Sequence, residues 1–204
     1  MPPVTKVSKD EIIDKTYQIL SRDGIESINA RRIAKELNCS VQPIFSNFNS
    51  MEDLINEVTN LVKQKCFDYL LSGSKDSCKP YKQVGINYIK FARKEPNLFK
   101  LLFMSKVNLD PVHFMTSDRQ FFGSVAEIIG KETKLSEELI KDFHEMMWFY
   151  THGIATLIAT GTSKITDEEI DRLLTNEFIA LMQLQKFKLS GKDINIEKIE
   201  DIMK

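Results

Sequence analysis

Residues 29–48, NARRIAKELNCSVQPIFSNF, read as two short helices joined by a tight turn. Asn29 offers a side-chain oxygen to the otherwise orphaned backbone N–H groups at the start of the first helix. Ala30, Ile33, Ala34 and Leu37 then recur at the spacing of one apolar helical face, so this face packs inward. Asn38 and Cys39 interrupt the pattern. Ser40 is the expected cap of a second helix, in which Val41, Ile44, Phe45 and Phe48 again fall three and four apart. Pro43 sits in its first turn, where the backbone N–H it lacks has no intrahelical partner to lose.

Working outward, Ser8 and Glu11 have the spacing of a capping box, and Ile12, Ile13, Thr16, Tyr17, Ile19 and Leu20 carry a helical stripe up to Gly24. Ile25 and Ile28 occupy the connection to Asn29. Ser50, with Asp53 at the third helical position, opens a fourth helix whose apolar face (Leu54, Ile55, Val58, Leu61, Val62, Cys66) extends to Leu71. The stretch 72–80, SGSKDSCKP, is the clearest loop and the expected domain boundary. Beyond it come a helix over 81–93, a short apolar helix over 98–104 after Pro96, a turn at Asp110-Pro111, and a helix around Phe121, Phe122, Val125, Ile128 and Ile129 ending before Gly130. Two long helices close the chain: one capped by Ser136 and ended by Gly161, the other opened by a Thr166–Glu169 capping box. No run alternates with period two, so an all-α chain of about nine helices is expected. Its divisions are a headpiece at 1–50, a connecting helix at 51–71, a larger helical domain at 72–190 and a tail at 191–204.

The balance of 42% hydrophobic and 28% charged residues is that of a globular chain. Cys39, Cys66 and Cys78 are odd in number and lack metal-ligand spacing, which predicts reduced thiols in a cytoplasmic setting. The opening MPPVTKVSKDE has no apolar core of a secretory signal, and the weakly polar run 146–161 is too short to span a bilayer, so no membrane association is expected. His113, His144 and His152 show no close metal spacing, and no cofactor is expected; His152, beside Gly153, reads as structural. The net charge of −1 does not advertise nucleic-acid binding. Residues 1–50 hold seven basic residues (Lys6, Lys9, Lys15, Arg22, Arg31, Arg32, Lys35) against six acidic ones (Asp10, Glu11, Asp14, Asp23, Glu26, Glu36), a balance of +1. Any DNA contact must therefore come from local geometry, the helix-turn-helix arrangement that lays a second helix in a major groove.

Gly24, Ile33-Ala34, Ser40, Ile44-Phe45, Phe48 and Leu54 together resemble, from about residue 9 to 55, the headpiece of the TetR family of bacterial one-component transcription regulators. KEPNLFKLLFM and WFYTHGIATLIATG are similar to segments of that family's C-terminal domains, the latter through Trp148, His152 and Gly153. The resemblance implies a homodimer that binds double-stranded operator DNA as a repressor and releases it when a small, largely apolar effector enters the second domain. It puts Val41, Gln42 and Pro43 against base edges, with Arg31, Phe45 and Asn47 at backbone-contacting positions, and Asn29, Arg32 and Ser40 in the same interface. A Gln42 amide suits adenine, and Val41 or Pro43 a thymine methyl. Three departures each remove a phosphate contact: Phe45 replaces the usual tyrosine, Asn47 a frequent histidine and Met51 a frequent lysine. Lys6 and Lys9 are candidates for additional phosphate contacts.

For the effector, the aromatic and methionine content of the second domain nominates Phe91, Phe99, Phe103, Phe114, Phe121, Phe143, Met147 and Tyr150, each of which also reads as plain core. The last two helices are apolar on more than one face, and the family pairs them with their symmetry mates. Ile154, Leu157 and Ile158 on one helix, with Phe178, Leu181, Met182 and Gln185 on the other, are the expected interface. Two other readings stay open: an activator or ligand-independent regulator whose second domain only dimerises or binds a protein, and a helical enzyme carrying such a headpiece. The enzyme reading lacks a nucleophile–base pair, a phosphate loop or a paired metal motif.

Overall fold

The computed structural model describes residues 7–105 and 109–190. Ser8 opens α1 (Lys9–Asp23): its hydroxyl accepts from the Glu11 N–H at 3.2 Å while the Glu11 carboxylate accepts from the Ser8 N–H at 2.8 Å, the reciprocal box that the sequence predicts. Gly24 ends α1 at φ +82°, a backbone conformation that favours glycine, and a single 3₁₀ turn at Ile25–Ser27 leads on. The Asn29 side-chain oxygen then accepts from the Arg32 N–H at 3.0 Å to start α2 (Ala30–Glu36).

The helix-turn-helix turn closes by a specific device. Asn38 adopts the left-handed conformation (φ +53°), its N–H donates to the Lys35 carbonyl, and the Cys39 N–H donates to the Ala34 carbonyl at 3.0 Å. These two bonds are the Schellman pattern, with Asn doing what glycine usually does. α3 (Gln42–Asn47) follows, with Pro43 in its first turn as expected. Ser40 is not its cap. Val41 takes that place with helical dihedral angles and no side-chain bond, its carbonyl accepting from the Ile44 N–H at 3.1 Å. The turn ending at Cys39 delivers the chain one residue later than the Ser40 cap requires.

Ser50 caps α4 (Met51–Leu71) through the Asp53 N–H at 3.1 Å, and Asp53 in return accepts from the Asn49 N–H. Ile12, Ile19 and Leu20 of α1, Ile33 and Ala34 of α2, Ile44 and Phe48, and Leu54 and Val58 of α4 form one buried cluster that fixes the attitude of α3. The rest of α4 joins the larger core, where the Phe67 ring stacks on Phe114 and Phe121 at centroid distances of 4.7 and 4.5 Å.

Past residue 80 run α5 (Pro80–Lys94), α6 (Pro96–Met104), α7 (Pro111–Thr116), α8 (Phe121–Thr133), α9 (Glu137–Ala159) and α10 (Asp167–Leu189). The all-helical reading holds, with ten α-helices among the described residues where the sequence suggests about nine. The extra one is α7. Asp110, read as part of a turn, accepts from the N–H groups of Val112 and His113 and so caps a short helix. α8 also runs through Gly130 and stops at Lys134, which is left-handed at φ +61°. Ser136 precedes α9 without a side-chain cap bond, whereas Thr166 and Glu169 do form their box on α10.

α5 lies at the centre of the larger bundle, against α4, α6, α8, α9 and α10. α6 meets the headpiece: the Asn97 amide donates to the carbonyls of Ser21 and Arg22, and the Ser21 hydroxyl donates to Glu95. Among the described residues no helix is long and apolar enough to cross a membrane. Lys6 and the tail at 191–204 lie outside the described residues.

Candidate nucleic-acid interface and interior cavity

The short α3 carries no charged residue. Its outer face is apolar and amide in character: Val41 is 40% exposed, Phe45 is 53% exposed, and Gln42 is exposed between them. The Asn47 amide is partly committed, donating back to the Pro43 carbonyl at 2.7 Å, and the Ser46 hydroxyl donates to the Gln42 carbonyl.

The two arginines of α2 differ. Arg32 is tied to Asp23 and Glu36, which also hold Arg22, in a network that clips the end of α1 to α2. Arg31 is exposed and, among the described residues, forms no ion pair or side-chain hydrogen bond. Lys9 pairs with Glu57 and lies 5.3 Å above the Phe48 ring, so it braces α1 against α4. Asn29 spends its oxygen on the α2 cap, and Ser40 is exposed in the turn.

The second domain contains an apolar cavity of about 40 Å³ between α5, α9 and α10, reached by residues of α7 and α8. Of the residues nominated from aromatic content, Phe121 and Met147 line it. Phe91, Phe99, Phe103, Phe114 and Phe143 are buried in the surrounding core, with Phe99 and Phe103 against Tyr88 at 5.6 and 5.2 Å and Phe143 edge-on to Phe178 at 5.4 Å. Tyr150 is half-buried and outside the lining. Composition ranks aromatics alike, yet most of them are packing material.

The lining instead follows two helical stripes: Tyr81, Val84, Gly85 and Tyr88 on α5, and His144, Met147, Trp148 and Thr151 on α9. Both repeat at i, i+3, i+4, i+7, a signal present in the sequence that a count of aromatics passes over. α10 packs close over this face: a Cβ at Gly85 would stand 3.4 Å from a Leu174 methyl, in ordinary van der Waals contact.

All but one of the side-chain polar groups around the cavity have partners. His144 Nε2 lies 3.1 Å from the Met115 carbonyl, which can only accept, so this nitrogen carries the proton and Nδ1 accepts from the Tyr81 hydroxyl at 2.9 Å. Burial pushes the His144 pKa down to about 4, and it raises that of the Tyr81 phenol. Two turns further along, His152 Nδ1 meets the Tyr88 hydroxyl at 2.9 Å, and its ring stacks on Trp148 at 5.1 Å. The Trp148 indole nitrogen is buried with no hydrogen-bond partner among the described residues.

The expected interface residues separate by burial. Ile154, Leu181 and Gln185 face the protomer's own interior, Gln185 donating to Asp142. Phe178 packs on Tyr81 and Phe143 and lines the cavity. Ile158 and Met182 are half-buried, and Leu157 is 46% exposed. The large apolar residues left in solvent are Phe149 and Leu157 on α9 and Ile179, Phe187 and Leu189 on α10, with exposed Gly153 between Phe149 and Leu157.

Residues 81–181 match the model of the tetracyclin repressor-like C-terminal domain. A solved TetR family transcriptional regulator protein of Vibrio parahaemolyticus shares the fold, with a TM-score of 0.57 at 18% identity over 84% of this chain and 96% of that one. No curated protein matches the chain. Since the C-terminal match adjoins a headpiece with the helix-turn-helix motif and sits in the same all-helical architecture, the chain belongs to the TetR family of transcription regulators.

Proposed function

We propose that the protein is a homodimeric, ligand-responsive repressor that reads a pseudo-palindromic operator through residues 29–48. The observation that carries this reading is the exposed outer face of α3, with Val41, Gln42 and Phe45 in solvent on a helix fixed by a buried headpiece core. On α2, Arg31, unpaired among the described residues, and the exposed Lys35 supply cations to the headpiece. Two such headpieces about 34–36 Å apart match successive major grooves. The exposed Phe149, Leu157, Ile179 and Phe187 offer an apolar face for an isologous contact with a second copy. An effector in the cavity favours one spacing of the headpieces over another by its differential affinity for the two states.

A second reading, a regulator whose C-terminal domain only dimerises or binds a protein, draws support from the small volume of the cavity, well below the roughly 300–1,000 Å³ of ordinary ligand sites. The deciding experiment is selection of bound sites from randomised duplex DNA, followed by a shift assay with and without small apolar ligands. Recovery of a palindromic site released by ligand supports the first reading, recovery of a site indifferent to ligand supports the second, and recovery of no site removes both.

A further inference from the structure

We propose that the cavity between α5, α9 and α10 takes a neutral, flat, apolar molecule with one hydrogen-bond acceptor, to which the indole N–H of Trp148 donates. This rests on reading the cavity as the effector site.

The argument is an inventory of hydrogen-bonding capacity. The Tyr81 hydroxyl proton is given to His144, the His144 proton to the Met115 carbonyl, and the Thr151 hydroxyl proton to the Met147 carbonyl at 2.7 Å. The Tyr88 hydroxyl is engaged with His152. Only the Trp148 N–H remains, on a side chain 5% exposed that lines the cavity. The Tyr88 oxygen lies beside the indole but outside hydrogen-bonding geometry. A buried donor without a partner is costly, so a ligand acceptor placed there gains a bond at no competing loss within the protein.

Charge is excluded on the same grounds. Lys82, the one formally charged residue in the lining, has its ammonium held by Asp171 and by the Thr175 hydroxyl. His144 is neutral, its imidazole shared between a phenol and a carbonyl. An anion would enter without a counter-charge, which a low-dielectric site penalises heavily. The rings of Tyr81, Tyr88, Phe121 and Phe178 favour a flat guest. Because about 40 Å³ admits little more than a water molecule, the unbranched side chains of Met115 and Met147 are the ones that yield on entry.

Three probes of nearly equal shape test this by calorimetry on the full chain: acetophenone (neutral, with an acceptor), isopropylbenzene (neutral, without one) and benzoate (an anion). Acetophenone should bind about tenfold more tightly than isopropylbenzene, the equivalent of one hydrogen bond, and benzoate should not bind measurably. Trp148→Phe should bring the two neutral probes to within about twofold, with isopropylbenzene binding reporting that the variant is folded. Tyr88→Phe removes the one neighbouring oxygen and should keep or widen the preference for acetophenone. Preferred binding of benzoate, equal binding of the neutral probes to the unaltered protein, loss of the preference in Tyr88→Phe, or its persistence in Trp148→Phe would overturn the proposal, as would binding of none of the three. Operator binding measured on the same samples separates that last outcome from failure of the regulator reading.

Discussion

The Tyr81 hydroxyl on α5 and Nδ1 of His144 on α9 are joined by a 2.9 Å hydrogen bond inside the core, with the other imidazole nitrogen fixed by the Met115 carbonyl of α7. Three helices thus share one neutral imidazole. Its folded-state pKa of about 4 lies below the ordinary value of 6.5, so between these values the unfolded chain binds the extra proton. Stability from this site is fully present above pH 6.5 and is lost as pH falls towards 4. At pH 5 the loss is about 2 kcal/mol relative to pH 7, and His152, shifted in the same direction, adds to it. Urea denaturation at the two pH values should show this slope in the unaltered protein and a flatter one in His144→Gln; equal slopes would refute the assignment.

Arg31 and Arg32 are neighbours in sequence with opposite expected behaviour. Arg31→Ala should leave the melting temperature unchanged, weaken operator binding, and reduce the slope of log affinity against log salt by about 1, as for one lost phosphate contact. Arg32→Ala should instead loosen the join of α1 to α2, because its partners Asp23 and Glu36 lose a cation. Salt titrations of fluorescence anisotropy, paired with thermal melts, distinguish the two.

An uncharged recognition helix has no guanidinium to offer a guanine. Val41 and Phe45 suit thymine methyl groups, and Gln42 suits adenine. Replacing thymine by deoxyuridine in the selected half-site, which removes only the methyl, should therefore weaken binding several-fold. Gln42→Ala should relax the preference at one base pair, at a cost of about 1–3 kcal/mol. A selected site dominated by G·C pairs, indifferent to deoxyuridine, would contradict this.

For assembly, Leu157→Glu and Ile179→Glu place charges on residues 46% and 52% exposed, so the protomer should stay folded while a dimer separates. Sedimentation velocity with circular dichroism reads both properties. Ile154→Glu is the contrasting case: that side chain is buried within the protomer, and the substitution should unfold it.

Phe99 tests the distinction between core and lining. It is fully buried, in contact with Tyr88, Phe103 and the His152 ring. Phe99→Ala should destabilise the protein by about 3–5 kcal/mol. Met147→Leu, at the cavity wall and nearly volume-conserving, should cost less than about 1.5 kcal/mol and act mainly on ligand binding. Chemical denaturation of both variants gives the comparison.

The helices were legible because their signals are local. Ser8 with Glu11, Asn29, Ser50 with Asp53, and Thr166 with Glu169 meet partners within four residues, and the apolar stripes repeat along one chain. Ser40 and Asp110 depart from their local signals for a related reason: a cap depends on where the adjoining turn delivers the backbone, and the left-handed Asn38 and the short helix α7 decide that.

The sequence by itself determined the helix-turn-helix headpiece, the all-helical class and the apolar character of the second domain, since each follows from spacing along the chain. Only the tertiary structure decided which arginine of α2 is ion-paired, which aromatics line a cavity and which apolar residues of α9 and α10 stay in solvent. Arg32 meets Asp23 across the α1–α2 join, Tyr81 meets His144 across 63 residues, and Gln185 turns inward to Asp142. A side chain's periodicity names its face, but what that face touches depends on how helices distant in sequence pack together.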